Sequence, residues 1–99
     1  MILTAKIKQQ LKAQAHKLKP VVQIGQQGLT DAVNKAIDEA LQTHELIKIH
    51  VATVNRNSRQ KILNEICQSN HAELINIIGN VGIIYRENLK QKTVPTQSS

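Results

Sequence analysis

The stretch KPVVQIGQQGLTDAV, Lys19–Val33, decides how the rest of the chain reads. Pro20 lacks an amide hydrogen and biases Lys19 out of helical backbone, so a helix arriving from the N-terminal side must stop before it. VVQI, Val21–Ile24, is short and rich in β-branched residues, which predicts a strand. Thr30 is a good helix N-cap and Asp31 suits a first turn. Val33, Ala36, Ile37, Ala40 and Leu41 then recur at helical spacing, a helix with one buried face. Between strand and helix lies GQQG, Gly25–Gly28. Glycine permits a turn with positive φ and keeps side chains clear of a ligand. The first amides of the following helix have no partner within the helix and carry partial positive charge. A strand, a glycine turn and a helix start together form a recurrent phosphate-binding geometry. The plain alternative is a tight turn joining two elements.

Upstream, Thr4 can cap a helix running to about His16. Ile7, Leu11, Ala15 and Leu18 form its apolar stripe, and Lys6, Lys8, Lys12, Lys17 and Lys19 fall off that stripe. Downstream, Leu46–Val54 alternates Ile47, Ile49 and Val51 against Lys48, His50 and Ala52, a strand with one more polar face. NRNSRQ, 55–60, reads as a loop, with Asn57 or Ser58 capping a third helix whose inner face is Ile62, Leu63, Ile66 and Cys67. ELINII and VGIIYR flank Gly79–Asn80 and predict an antiparallel hairpin. The order is α-β-α-β-α-β-β, an α/β fold. Strand–helix–strand passages cross over, whereas the final pair cannot. One compact domain with a four-stranded mixed sheet packed with helices is expected over residues 1–87. Residues 88–99 read as a polar, disordered tail.

Composition narrows the function. The 99 residues carry a formal charge of +6, and the sequence pI is about 9.8. Residues 1–30 hold five lysines and no acid, and the acids begin at Asp31. Such a basic segment is either a solvated helix face or a contact face for a polyanion. Tyr85 is the only aromatic residue, which excludes an aromatic base-stacking platform. The single cysteine, Cys67, sits among apolar residues and reads as core; it points to a reducing compartment, and a cytoplasmic protein is expected. No run reaches transmembrane length, and no membrane partner is expected.

Catalytic chemistry finds no support. GQQG is not followed by the Lys-Ser/Thr pair of a nucleotide loop and lacks the third glycine of a dinucleotide fingerprint. His16, His44, His50 and His71 are scattered, without metal-ligand spacing. No serine lies in a nucleophile elbow, and no carboxylate pair is evident. The chain reads as a non-enzyme without cofactor or metal.

HKLKPVVQIGQQGLT, ALQTHELIKIHV and IGNVGIIYR, in that order, resemble the three signature blocks of the YhbY-like RNA-binding proteins, stand-alone forms of the chloroplast RNA splicing and ribosome maturation (CRM) domain. The resemblance spans about residues 2–87. It implies a compact fold similar to the C-terminal domain of translation initiation factor 3, with a loop comparable to the GxxG loop of KH domains. It also implies association with precursors of the large ribosomal subunit. The absence of long extensions favours this bacterial-type role over the intron splicing of plant relatives. By position, Gly25, Gln26, Gln27 and Gly28 fill the loop, Lys19 and Pro20 lead into the first strand, Glu45 and Lys48 belong to HELIK, and Tyr85 and Arg86 close the last strand. The expected partner is RNA, ribosomal RNA above all, bound by a monomer. The expected contacts are Lys12, Lys17, Lys19, Gly25, Gln26, Gln27, Gly28, Lys48, Arg56, Arg59 and Arg86. Lys12, Lys17 and Lys19 rank first because the end of the first helix and the first strand precede the loop directly. Glu45 with Lys48 can equally make a local ion pair, and Tyr85 can pack in the core or stack on a base. The competing reading is a protein-interaction module for a ribosomal or other acidic partner, with RNA contacts secondary.

Overall fold

The computed structural model describes residues 3–25, 27–52 and 55–88. Its elements are α1 (Ala5–Ala15), β1 (Pro20–Ile24), α2 (Asp31–His44), β2 (Leu46–Val51), α3 (Arg56–Asn70), β3 (Glu73–Ile78) and β4 (Val81–Tyr85). This is the expected α/β order. The strands lie in the order β1-β2-β4-β3. β1 runs parallel to β2, and β4 pairs antiparallel with β2 on one side and β3 on the other. The hairpin therefore folds its second strand inward, between β2 and β3, which makes the sheet mixed.

Alternation along the strands builds two cores. Ile24, Ile47, Ile49, Val51 and Ile84 face α2 and α3 and pack against Ile37, Leu41, Leu63 and Ile66. Leu46, Ile75 and Ile83 face the other way and pack against Leu11 and Ala15 of α1, with Tyr85 half-buried at the edge. Tyr85 is thus packed beside α1. Gly82 lies directly beneath α3: a Cβ there would stand 2.5 Å from Leu63 Cδ2. No residue larger than glycine fits without moving that side chain.

Several expectations about boundaries are corrected. α1 packs on the sheet through Leu11 and its last residue, Ala15, leaving Ile7 and Leu18 of the anticipated stripe 38% and 37% exposed. α3 starts earlier than expected. Its cap is Asn55, whose Oδ1 accepts from the Asn57 and Ser58 amides at 2.8 and 3.2 Å. Three capping residues stand close together here, and the first satisfies two orphan amides at once. Arg56 and Arg59 therefore belong to the first turns of a helix, not to a loop. The expected strand end at Thr53 and Val54 lies outside the described residues, as does the tail from 89 onward. Asn88, assigned to that tail, is among the described residues. Its Nδ2 donates to the Leu41 and Gln42 carbonyls at 3.0 and 2.7 Å, and its backbone N–H donates to Glu45 Oε2 at 2.7 Å. These bonds finish the C-terminal end of α2, where carbonyls lack helical partners.

Candidate nucleic-acid interface

The C-terminal ends of β1, β2 and β3 and the N-terminal ends of α2 and α3 meet along one edge of the sheet. Two backbone bonds tie that edge together: Ala52 N–H donates to the Ile24 carbonyl at 2.8 Å and Val51 N–H to the Asn80 carbonyl at 2.7 Å. The 25–28 loop, the start of α3 and the Gly79–Asn80 turn therefore lie side by side.

Within the loop, the Gly28 N–H donates to the Gly25 carbonyl at 3.0 Å, closing a tight turn. Gly28 has φ +74°, a backbone state that favours glycine. Gly25 has no positive φ, and a Cβ on it would meet nothing within 4 Å. The fold thus requires glycine at 28 but not at 25. Gly25 and Gln27 are exposed and Gly28 half-buried; Gln26 lies outside the described residues. With Thr30 and Val33 they line a shallow depression of about 410 Å³. The start of α2 is partly satisfied already, because Thr30 Oγ1 accepts the Val33 N–H at 3.2 Å. Asp31 adds a carboxylate in the same turn.

The cations divide into two groups. Arg56 and Arg59, with Gln60, Ile77 and Gly79, line a smaller recess of about 270 Å³ on the loop edge. Lys17 and Lys19 are exposed at the opposite end of β1, and Lys48, half-buried, is in register with Pro20 there. A strand the length of β1 separates these lysines from the loop by roughly 13 Å. Adjacency in sequence is therefore not adjacency in space, and Arg56 and Arg59 of α3 stand instead at the same end of the sheet as the loop. Lys12 is exposed in the last turn of α1. An open groove of about 580 Å³, lined by Lys19, Pro20, Val21, Val22, Gln23 and His50, runs along β1 and joins the two ends.

Arg86 has a different role. Its Nη1 donates to Asp38 Oδ1 at 2.8 Å and to the Asn70 carbonyl at 3.2 Å, and its Nη2 donates to the Asp38 carbonyl at 3.1 Å. Its side chain is only 16% exposed. The guanidinium fork clamps α2, the end of α3 and the end of β4. These three bonds occupy the Arg86 guanidinium within the fold. Asn70 extends this clamp, donating to Asn34 Oδ1 and to the Ile66 carbonyl, both at 2.9 Å. Asn34, Asn70 and Asn88 were missed in the sequence, and only the capping preference of Asn near helix ends hinted at them. Glu45 does not pair with Lys48: it sits at φ 64°, its carboxylate accepts from Asn88, and its carbonyl accepts the Arg86 N–H at 2.8 Å.

Cys67 is half-buried, and burial, then the Glu73 carboxylate, push its thiol up to about 11, so it is not a nucleophile at neutral pH. Among the described residues, no group of three His, Cys, Asp or Glu could hold a metal ion. No helix there is long and apolar enough to cross a membrane.

Comparison with known proteins places the chain among relatives. The chain is 42% identical over 90 residues to an RNA-binding protein of Haemophilus influenzae, covering 91% of each chain. It is 39% identical to a protein of Pseudomonas aeruginosa whose name calls it a probable RNA-binding protein, covering 91% of this chain and 86% of that one. The solution structure of a hypothetical protein of Staphylococcus aureus, proposed to bind RNA, superposes with a TM-score of 0.79 at 36% identity, covering 88% of this chain and 91% of the other. The model of the CRS1 / YhbY (CRM) domain matches residues 3–86, and the chain belongs to that family.

Proposed function

We propose that the protein binds RNA without catalysing a reaction, that its target is ribosomal RNA in assembling large subunits, and that it works in the cytoplasm. The observation that carries this reading is Gly25, a glycine that neither backbone conformation nor packing demands. A side-chain-free position at an exposed turn is explained by a ligand backbone that approaches closely. Phosphates meet the amides of the 25–28 loop, with Gln26 and Gln27 as neutral donors, and Arg56 and Arg59 supply charge on the same edge. Lys12, Lys17, Lys19 and Lys48 extend the positive surface at the far end of β1. The RNA-binding names of relatives support the partner class. The ribosomal target rests on the family resemblance of the three sequence blocks.

The test is binding of ribosomal RNA fragments as a function of salt for the wild type, Gly25→Val and Arg56→Glu. Gly25→Val should fold normally and lose about tenfold in affinity, because a branched side chain displaces the phosphate. Arg56→Glu should reduce the salt slope by about 0.7–0.9 for each phosphate that is no longer neutralised. Unchanged affinity in Gly25→Val, measured on protein shown to be folded, overturns the loop as the docking point. Partners that stay bound after complete nuclease digestion would favour the protein-interaction reading.

A further inference from the structure

α1 covers the sheet face opposite α2 and α3 only over Leu46, Ile75 and Ile83, and the strip along β1 is left open. β1 is an edge strand, and Val21 on it is 50% exposed. Beside it in the β1 groove stands His50, half-buried and in register with Gln23 of β1 and Val81 of β4. The enclosed Nδ1 of His50 has no hydrogen-bond partner among the described residues. The groove has an apolar floor (Pro20, Val21, Val22), a planar ring, an amide at one end in Gln23 and an ammonium at the other in Lys19. Its volume of about 580 Å³ falls among small-ligand pockets, although it is open to solvent.

We infer that this groove is a nucleobase subsite, which takes unpaired bases of a single-stranded RNA segment whose backbone passes over the 25–28 loop. The inference rests on the RNA-binding reading above and narrows it from RNA in general to RNA with an unpaired stretch. The groove starts at Gln23, two residues before the loop, and finishes at Lys19, so a strand lying along it runs from the loop to a cation. Its apolar floor and imidazole ring suit the faces of bases and have no use for a phosphate. A peptide strand added to the β1 edge fits less well. Pro20 offers no N–H, and a bulge between Pro20 and Val22 breaks the register, two devices that blunt an edge against pairing.

The test compares affinities for a single-stranded RNA oligonucleotide, the same strand made abasic, and a blunt RNA duplex. The wild type should bind the intact strand about 5- to 100-fold more tightly than the abasic one, the range expected for one stacked base. His50→Ala should abolish that difference while keeping the abasic affinity and its salt dependence. If His50→Ala does not fold, Val21→Ser, at an exposed position, serves instead and should halve the preference or more. Equal binding of intact and abasic strands, or a preference for the duplex, overturns the inference while leaving backbone recognition intact. Failure to bind any of the three overturns the RNA reading itself. Amide shifts at Val21–Gln23 that depend on protein concentration without RNA would assign the groove to a second copy of the chain and also overturn it.

Discussion

Replacing Arg86 by alanine removes the clamp that joins α2, α3 and β4. The ion pair with Asp38 at 2.8 Å is only partly shielded, because the Asp38 side chain is 43% exposed, and its loss costs about 1 kcal/mol, between surface and buried values. The Asn70 and Asp38 carbonyls lose donors at 3.2 and 3.1 Å, each worth about 1 kcal/mol after water repays part of the loss. Arg86→Ala should therefore destabilise by about 2–4 kcal/mol, read as a drop in melting temperature of roughly 10–20 °C for a domain of this size. Arg86→Lys keeps the charge but not the planar fork, and should lose about 1–2 kcal/mol. The assay is urea unfolding followed by circular dichroism, paired with RNA binding at a temperature where each variant remains folded. RNA affinity and its salt slope should match the wild type there. A loss below about 0.5 kcal/mol, a change usual for an unremarkable surface site, would refute the clamp. So would a weakened salt slope in folded Arg86→Ala, which would return the arginine to the interface.

Two further outcomes follow from the packing. Gly82→Ala should lose about 1–3 kcal/mol in thermal unfolding, because its methyl group meets Leu63, and Leu63→Val introduced beside it should recover part of that loss. The Cys67 thiol, held protonated up to about 11 in the folded protein against a usual 9.0, should react with iodoacetamide at pH 8 much more slowly in the native state than in urea. Because the folded state keeps that proton longer, the stability linked to it is fully present below pH 9 and is lost as pH rises toward 11. Wild type and Cys67→Ala should therefore differ in the slope of stability against pH across that window.

Element types were legible because period and punctuation agreed. Pro20 ends one helix, Thr30 starts another, and β-branched residues fill the strands. Strand order was less legible: a tight hairpin requires β3 and β4 to pair, yet nothing local tells β4 to insert beside β2. That choice is a packing one, and Gly82 under Leu63 is its trace. The loop was legible as a tight glycine turn, but its charged surroundings were not. Lysines adjacent to it in sequence ended one strand length away, while Arg56, distant in sequence, came to its edge because α3 starts where β2 stops. The clamp at Arg86 was not legible, because an arginine after a last strand looks solvent-facing until the carboxylate across the fold, Asp38, is in view.

The inward position of β4 also governs when the domain can assemble. During synthesis β2 and β3 leave the ribosome first, yet neither can pair with the other, since the strand that separates them is still to come. Until Val81–Tyr85 has emerged, the inner edges of both stay open to other chains. Closure is thus a late, long-range step, made by the same segment whose following residue, Arg86, ties the helices down. A nascent chain stalled a few residues short of that point would carry the whole loop and most of its cations, but no sheet able to hold them.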